Sequence, residues 1–137
     1  MTLTIRPGQL SDVESTLSLW KAAGAEPTHT DTAEHLTSLI TYDPLALIVA
    51  EDDDRLVGTV VAAWDGWRGS IYRLAVAPSH RRLGLGSRLL EEAESRLAVV
   101  GAIRLQAIVV DTESLATTFW GASDWEPQSH RLRFVKG

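Results

Sequence analysis

Cysteine is absent from the 137 residues. Its absence excludes a disulfide framework, a thiolate metal site and a cysteine nucleophile. Long apolar runs are absent too: none reaches the ~20 residues a membrane-spanning helix requires. The opening Met1-Thr2-Leu3-Thr4-Ile5-Arg6 lacks the apolar core of a signal peptide, so a soluble, cytoplasmic protein with no membrane partner is expected. Excess positive charge is missing as well. Thirteen Lys and Arg stand against eighteen Asp and Glu, a net charge of −5. Phosphate contacts dominate nucleic-acid affinity, so no nucleic-acid partner is expected. The Asp52-Asp53-Asp54 triplet lacks the alternation of a metal loop and reads as a solvated hairpin tip. No metal is expected. Only Tyr42 and Tyr72 supply phenols. Repeats, low-complexity tracts and linkers are also missing, and the length fits one domain over 1–137.

What is present is a regular alternation of elements. Leu3 to Arg6 reads as a first strand. Ser11 or Asp12 caps a helix in which Val13, Leu17 and Trp20 recur at helical spacing, and Gly24 stops it. A second helix starts near Asp31-Thr32, carries Leu36, Leu39 and Ile40, and breaks at Asp43-Pro44. Three strands follow as an antiparallel meander: Leu45 to Glu51, Leu56 to Trp64 and Ser70 to Val76. A leucine-rich helix runs from Leu85 to about Val99, with Glu92 and Arg96 spaced as an i,i+4 pair. Arg104 to Val110 reads as a strand and Ser114 to about Ser123 as a helix. Trp125 and Arg131 to Val135 read as closing strands. The expected class is α/β (α+β), with a mixed, mostly antiparallel sheet of six to seven strands and about four helices.

The segment between the third meander strand and the leucine-rich helix carries the chemistry. From His80 to Arg88 it holds three arginines and no acid in an otherwise acidic chain. Helix N-termini present amides without intrahelical partners and a positive dipole end, so they attract anions. Gly84 and Gly86 let backbone approach a ligand closely. Arg81 and Arg82 add forked donors. The segment reads as a pyrophosphate cradle, with a solvated charged turn as the alternative. A nucleotide P-loop is excluded, because Gly86 is followed by Ser87-Arg88 rather than Lys and Ser or Thr. A dinucleotide fingerprint is excluded too, because Leu89 stands at the third glycine position.

The pattern Leu74-Ala75-Val76-x-Pro78-x-x-Arg81-Arg82-x-Gly84-x-Gly86-x-x-Leu89-Leu90 resembles that of the GNAT superfamily of acyl-CoA-dependent N-acetyltransferases. Val57-Gly58-Thr59-Val60 and the Asp65-Gly66-x-Arg68-Gly69 turn fit as well, as in a small bacterial subgroup with that hairpin. The resemblance implies acetyl-CoA as co-substrate and a primary amine, on a small molecule or a protein, as acceptor. It implies pantetheine pairing with Leu74, Ala75 and Val76, and the diphosphate on the amides from Arg82 through Leu83, Gly84, Leu85 and Gly86 to Ser87, near Arg81. It implies a monomer or homodimer.

Transfer to an amine requires a neutral amine, a polarised thioester carbonyl and a leaving thiolate. A backbone N–H near Val76 would hold the carbonyl, as the resemblance implies. The sequence departs from the family at the general acid. Trp120 stands where tyrosine is common, Glu113 where asparagine is common, and Asp124 where glycine is common. An indole N–H is no useful acid. Tyr72 shares a strand face with Leu74 and Val76 by two-residue alternation, which makes it the catalytic candidate, with core packing as the alternative. Glu26, His29, Asp31 and His35 fall where the family borders its acceptor pocket, or else lie on the surface. The missing tyrosine keeps a second reading open: a non-catalytic acyl-CoA-binding sensor or regulatory module.

Overall fold

The computed structural model describes residues 2–109 and 114–137. The chain forms two compact units, Met1–Ala107 and Ile108–Gly137. In the first unit the order is β1 (Leu3–Pro7), α1 (Val13–Ala22), α2 (Ala33–Tyr42), β2 (Leu47–Asp52), β3 (Arg55–Trp64), β4 (Gly69–Val76), α3 (Leu85–Val99) and β5 (Leu105–Ala107). The second unit contributes α4 (Ser114–Gly121).

The sheet follows chain order, β1-β2-β3-β4-β5. β1 to β4 are antiparallel neighbours, and β5 pairs parallel to β4 after the α3 crossover. The apolar strands alternate their side chains between two helical layers. Val13 and Trp20 of α1 and Leu36 and Ile40 of α2 pack with Leu47, Val49, Val61 and Ala75. On α3, Leu85, Leu89, Leu90, Ala93 and Leu97 are buried. Gly58 is what lets α3 come this close, since a Cβ there would stand 2.8 Å from Leu89 Cδ1.

The helices start and stop where cap chemistry directs. Thr32 Oγ1 accepts from His35 N at 3.2 Å and opens α2. Arg6 grips Asp12 with both guanidinium ends, at 2.8 and 3.0 Å, and donates Nε–H to Glu51 at 2.9 Å. The guanidinium holds the Asp12 carboxyl below the usual carboxylate range.

Four expectations are corrected. The sheet has five strands among the described residues, not six to seven. Trp125 and Arg131 to Val135 form no strand, and Leu132 and Phe134 are exposed. Apolar alternation makes a strand only where a neighbouring edge satisfies its N–H and C=O groups. β5 covers Leu105–Ala107, shorter than the expected 104–110, and Val110 lies outside the described residues. Arg96 does not reach Glu92. It pairs with Asp43 and donates to the Ala62 carbonyl at 3.0 Å, partners that only the packing of α3 on the sheet provides.

Candidate functional site

After β4 the chain turns through Pro78–His80 and reaches α3 by way of Arg82 and Gly84, both left-handed (φ 64° and 78°). Glycine takes that conformation freely, whereas arginine does not. Gly84 is the N-cap of α3 and no side chain caps the helix. Arg88 N to Gly84 O, at 3.2 Å, is its first backbone bond. The amides of Leu85, Gly86 and Ser87 therefore precede the first intrahelical donor. No acid lies in that first turn. The helix end is open and positive.

Arg82, Leu83, Gly84 and Ser87 are exposed around this end, while Leu85 is buried beneath it. Arg81 turns away from them. Its Nη2 donates to the Ala23 carbonyl at the end of α1, at 2.9 Å, which ties the turn to the first helix. A second tie crosses from the β2–β3 hairpin. His80 Nε2 meets Asp52 Oδ2 at 2.8 Å, and Ser79 Oγ meets His80 Nδ1 at 2.7 Å. The imidazole draws the Asp52 carboxyl below its ordinary range. Asp52 therefore braces the turn, although its sequence neighbourhood reads as a solvated tip. Twenty-eight residues separate the pair, so no local signal announces it.

Beside the turn, β4 has an unpaired edge. β5 pairs with it only at Gly69, Ser70 and Ile71. From Tyr72 to Val76 that edge has no strand partner among the described residues. On the other edge, Val61 faces Tyr72 and Thr59 faces Ala75, so Arg73 and Leu74 together oppose Val60. This is a β-bulge, with Arg73 at φ 50°. One extra residue reverses the alternation of side chains. Tyr72 thus shares its face with Ala75, not with Leu74 and Val76 as alternation predicts. Tyr72 is 48% exposed.

The bulge is held by a polar chain. Thr59, fully buried, accepts from Trp20 Nε1 at 2.8 Å and donates to the Arg73 carbonyl at 3.1 Å. The Arg73 guanidinium lies over the Trp20 ring, pairs with Asp31 and donates to the Glu26 carbonyl at 2.8 Å. Of the four residues singled out in or near the segment joining α1 to α2, Asp31 is thus engaged with Arg73, and Glu26 through its backbone. His35 Nδ1 meets Thr32 Oγ1 at 2.8 Å, and His29 is exposed. Thr59, Trp20 and Arg73 as a connected set escaped sequence reasoning, because they lie on three elements.

In the second unit, Trp120 sits edge-on to Phe119 (5.7 Å, 88°) and to Trp125 (4.9 Å, 74°). Ser123 Oγ donates to the Trp120 carbonyl at 2.6 Å and accepts from Trp125 N at 3.1 Å. Asp124 is exposed, and Glu113 lies outside the described residues. Among the described residues, no group of three potential metal ligands occurs, and no helix is long and apolar enough to cross a membrane.

Residues 14–120 match the acetyltransferase (GNAT) family. An acetyltransferase of Yersinia enterocolitica is 29% identical over 126 residues, 92% of this chain and 89% of the relative. One of Photorhabdus laumondii is 31% identical over 107 residues, 78% of this chain and 75% of the relative. Among solved structures, the PaiA N-acetyltransferase of Thermoplasma acidophilum, in complex with coenzyme A, superimposes with a TM-score of 0.76 at 18% identity. That match covers 88% of this chain and 87% of the other.

Proposed function

We infer, from the premise that this chain belongs to the acetyltransferase (GNAT) family, that it moves an acetyl group from acetyl-CoA to a primary amine of a small molecule or a protein. One observation carries the reading. An open, acid-free helix end lies directly after a strand edge that its neighbour leaves unpaired. The first suits a diphosphate, and the second suits the amides of a pantetheine arm.

The donor set fits coenzyme A. The amides from Arg82 to Ser87 receive the diphosphate, and Arg82 adds charge from an exposed position. Arg81 contributes by bracing the turn on Ala23. The edge at Leu74, Ala75 and Val76 extends along the pantetheine, and an amide of the bulge polarises the thioester oxygen. Acetyl-CoA supplies an activated acyl group and a thiolate that leaves readily. A free thiol ionises at roughly 8.5, so the departing sulfur requires little help. A lysine-type amine holds its proton to about pH 10.4 and must lose it before attack. Tyr72, on the unpaired edge and half exposed, is the phenol placed to relay that proton or to meet the thiolate. Trp120 offers only an indole donor.

Binding and turnover test this reading separately. Titration with coenzyme A reports the cradle, and Gly86→Trp fills the space in front of the first-turn amides. Loss of binding is expected; retained affinity at wild-type strength refutes the placement. Release of free thiol from acetyl-CoA with a panel of primary amines reports transfer. The indole at Trp120 supports one rival, a module that binds acyl-CoA without transferring it. Tight binding with no thiol release from any amine favours the rival.

A further inference from the structure

Arg73 is held at both its backbone and its side chain. Its carbonyl accepts from Thr59 Oγ1, itself bonded to Trp20 Nε1. Its guanidinium donates Nε–H to Asp31 Oδ1 at 3.2 Å and Nη2–H to the Glu26 carbonyl at 2.8 Å, and lies 5.4 Å from the Trp20 ring centre. Asp31 in turn accepts from Thr28 N at 2.9 Å, which folds the segment 25–31 onto the arginine. Both partners of the ion pair are mostly buried, with 19% and 16% of their side chains exposed. The same residue carries the left-handed φ that makes the bulge. A non-glycine residue keeps that conformation only where its surroundings over-determine it. Here one residue both shapes the strand edge and grips the segment joining α1 to α2. Its fork matters, because Nε and Nη2 take the two Asp31 carboxylate oxygens side by side while Nη2 also reaches the Glu26 carbonyl, a planar bidentate grip that the donors of an ammonium, all on one atom, do not match.

We propose that Arg73 is a positioning residue for acetyl transfer: through Asp31 and Glu26 it holds the α1–α2 segment in register with the bulge peptide that polarises the thioester carbonyl. This rests on the function proposed above. The consequence is that the two sides of the reaction are set by one side chain. The polar segment 25–31 cannot shift without disturbing the peptide that meets the acyl group.

The test reads carbonyl polarisation directly, using acetyl-CoA labelled with carbon-13 at the acetyl carbonyl and bound to the full chain. Bound to wild type, its infrared carbonyl stretch falls below that of free acetyl-CoA. Arg73→Ala is expected to return at least about half of that shift while coenzyme A affinity stays within roughly threefold, since the cradle contacts are separate. Arg73→Lys, a milder change, keeps the charge without the fork and gives an intermediate shift. Asp31→Asn reproduces the alanine effect from the other partner, and the double variant adds nothing to it. A full wild-type shift in Arg73→Ala overturns the proposal, as does bound acetyl-CoA with no shift in the wild type. If the wild type binds no acetyl-CoA, the functional reading fails on its own, and amide exchange decides the link. Arg73→Ala and Asp31→Asn must then each accelerate exchange by about tenfold in both 25–31 and 72–76. Acceleration confined to the substituted segment overturns the link.

Discussion

Asp12 shows how one carboxylate serves two purposes. It accepts from Gln9 N at 2.7 Å at the entry to α1 and takes both ends of the Arg6 guanidinium. The folded-state acidity is enhanced, so the carboxyl contributes stability above its ordinary pKa and loses it as pH falls through the lower folded value. Asp12→Asn should therefore flatten the acid limb of the stability curve, lowering stability most above the ordinary carboxyl pKa and least at acid pH, where the native carboxyl is itself protonated. Urea unfolding from pH 2 to pH 7 measures this. Tyr72 carries a different expectation. If its phenol handles a proton in transfer, Tyr72→Phe lowers kcat by about 10²–10⁴ with coenzyme A affinity unchanged. Full activity in Tyr72→Phe removes it from the mechanism. The buried hydroxyl of Thr59 satisfies two partners, the buried Trp20 Nε1 and the part-buried Arg73 carbonyl. Thr59→Val keeps the shape and strands both, costing about 1–3 kcal/mol per unsatisfied group. Equilibrium unfolding at neutral pH checks it.

The β4–turn–α3 unit was legible because its signals are local. Pro78, Gly84 and the leucine spacing of α3 each state a backbone requirement within a few residues. The bulge was not legible, because strand alternation has no marker for an inserted residue. Arg73 is an unremarkable strand residue until Val60 is seen to face two partners. The closing strands failed for the opposite reason: alternation is present at Leu132 and Phe134, but no neighbour pairs with it. Gly58 provides a test of packing between layers. Gly58→Val puts a side chain where Leu89 Cδ1 already stands at 2.8 Å, and both flanks are filled. Overpacking of this kind costs about 1–3 kcal/mol. A lowered urea midpoint with unchanged slope is the expected reading.

For the folded chain as a unit, ligand binding and stability are linked. A ligand that binds only the folded state at a hundredfold excess over its Kd stabilises by about 2.7 kcal/mol. Thermal unfolding with coenzyme A should rise accordingly, and the rise should vanish in Gly86→Trp. An unshifted melting temperature in wild type at millimolar coenzyme A speaks against the cradle. Composition, hydropathy and spacing were sufficient to determine the layered α/β class, the meander, the long third helix and the glycine-bearing turn before it, because each depends on neighbours in sequence. Five features waited on tertiary structure: the unpaired β4 edge, the bulge at Arg73, the Arg81 brace on Ala23, the His80–Asp52 tie and the Arg96–Asp43 pair. Each depends on groups many residues apart in sequence, and the energy that makes or withholds such pairings exists only after the chain has packed.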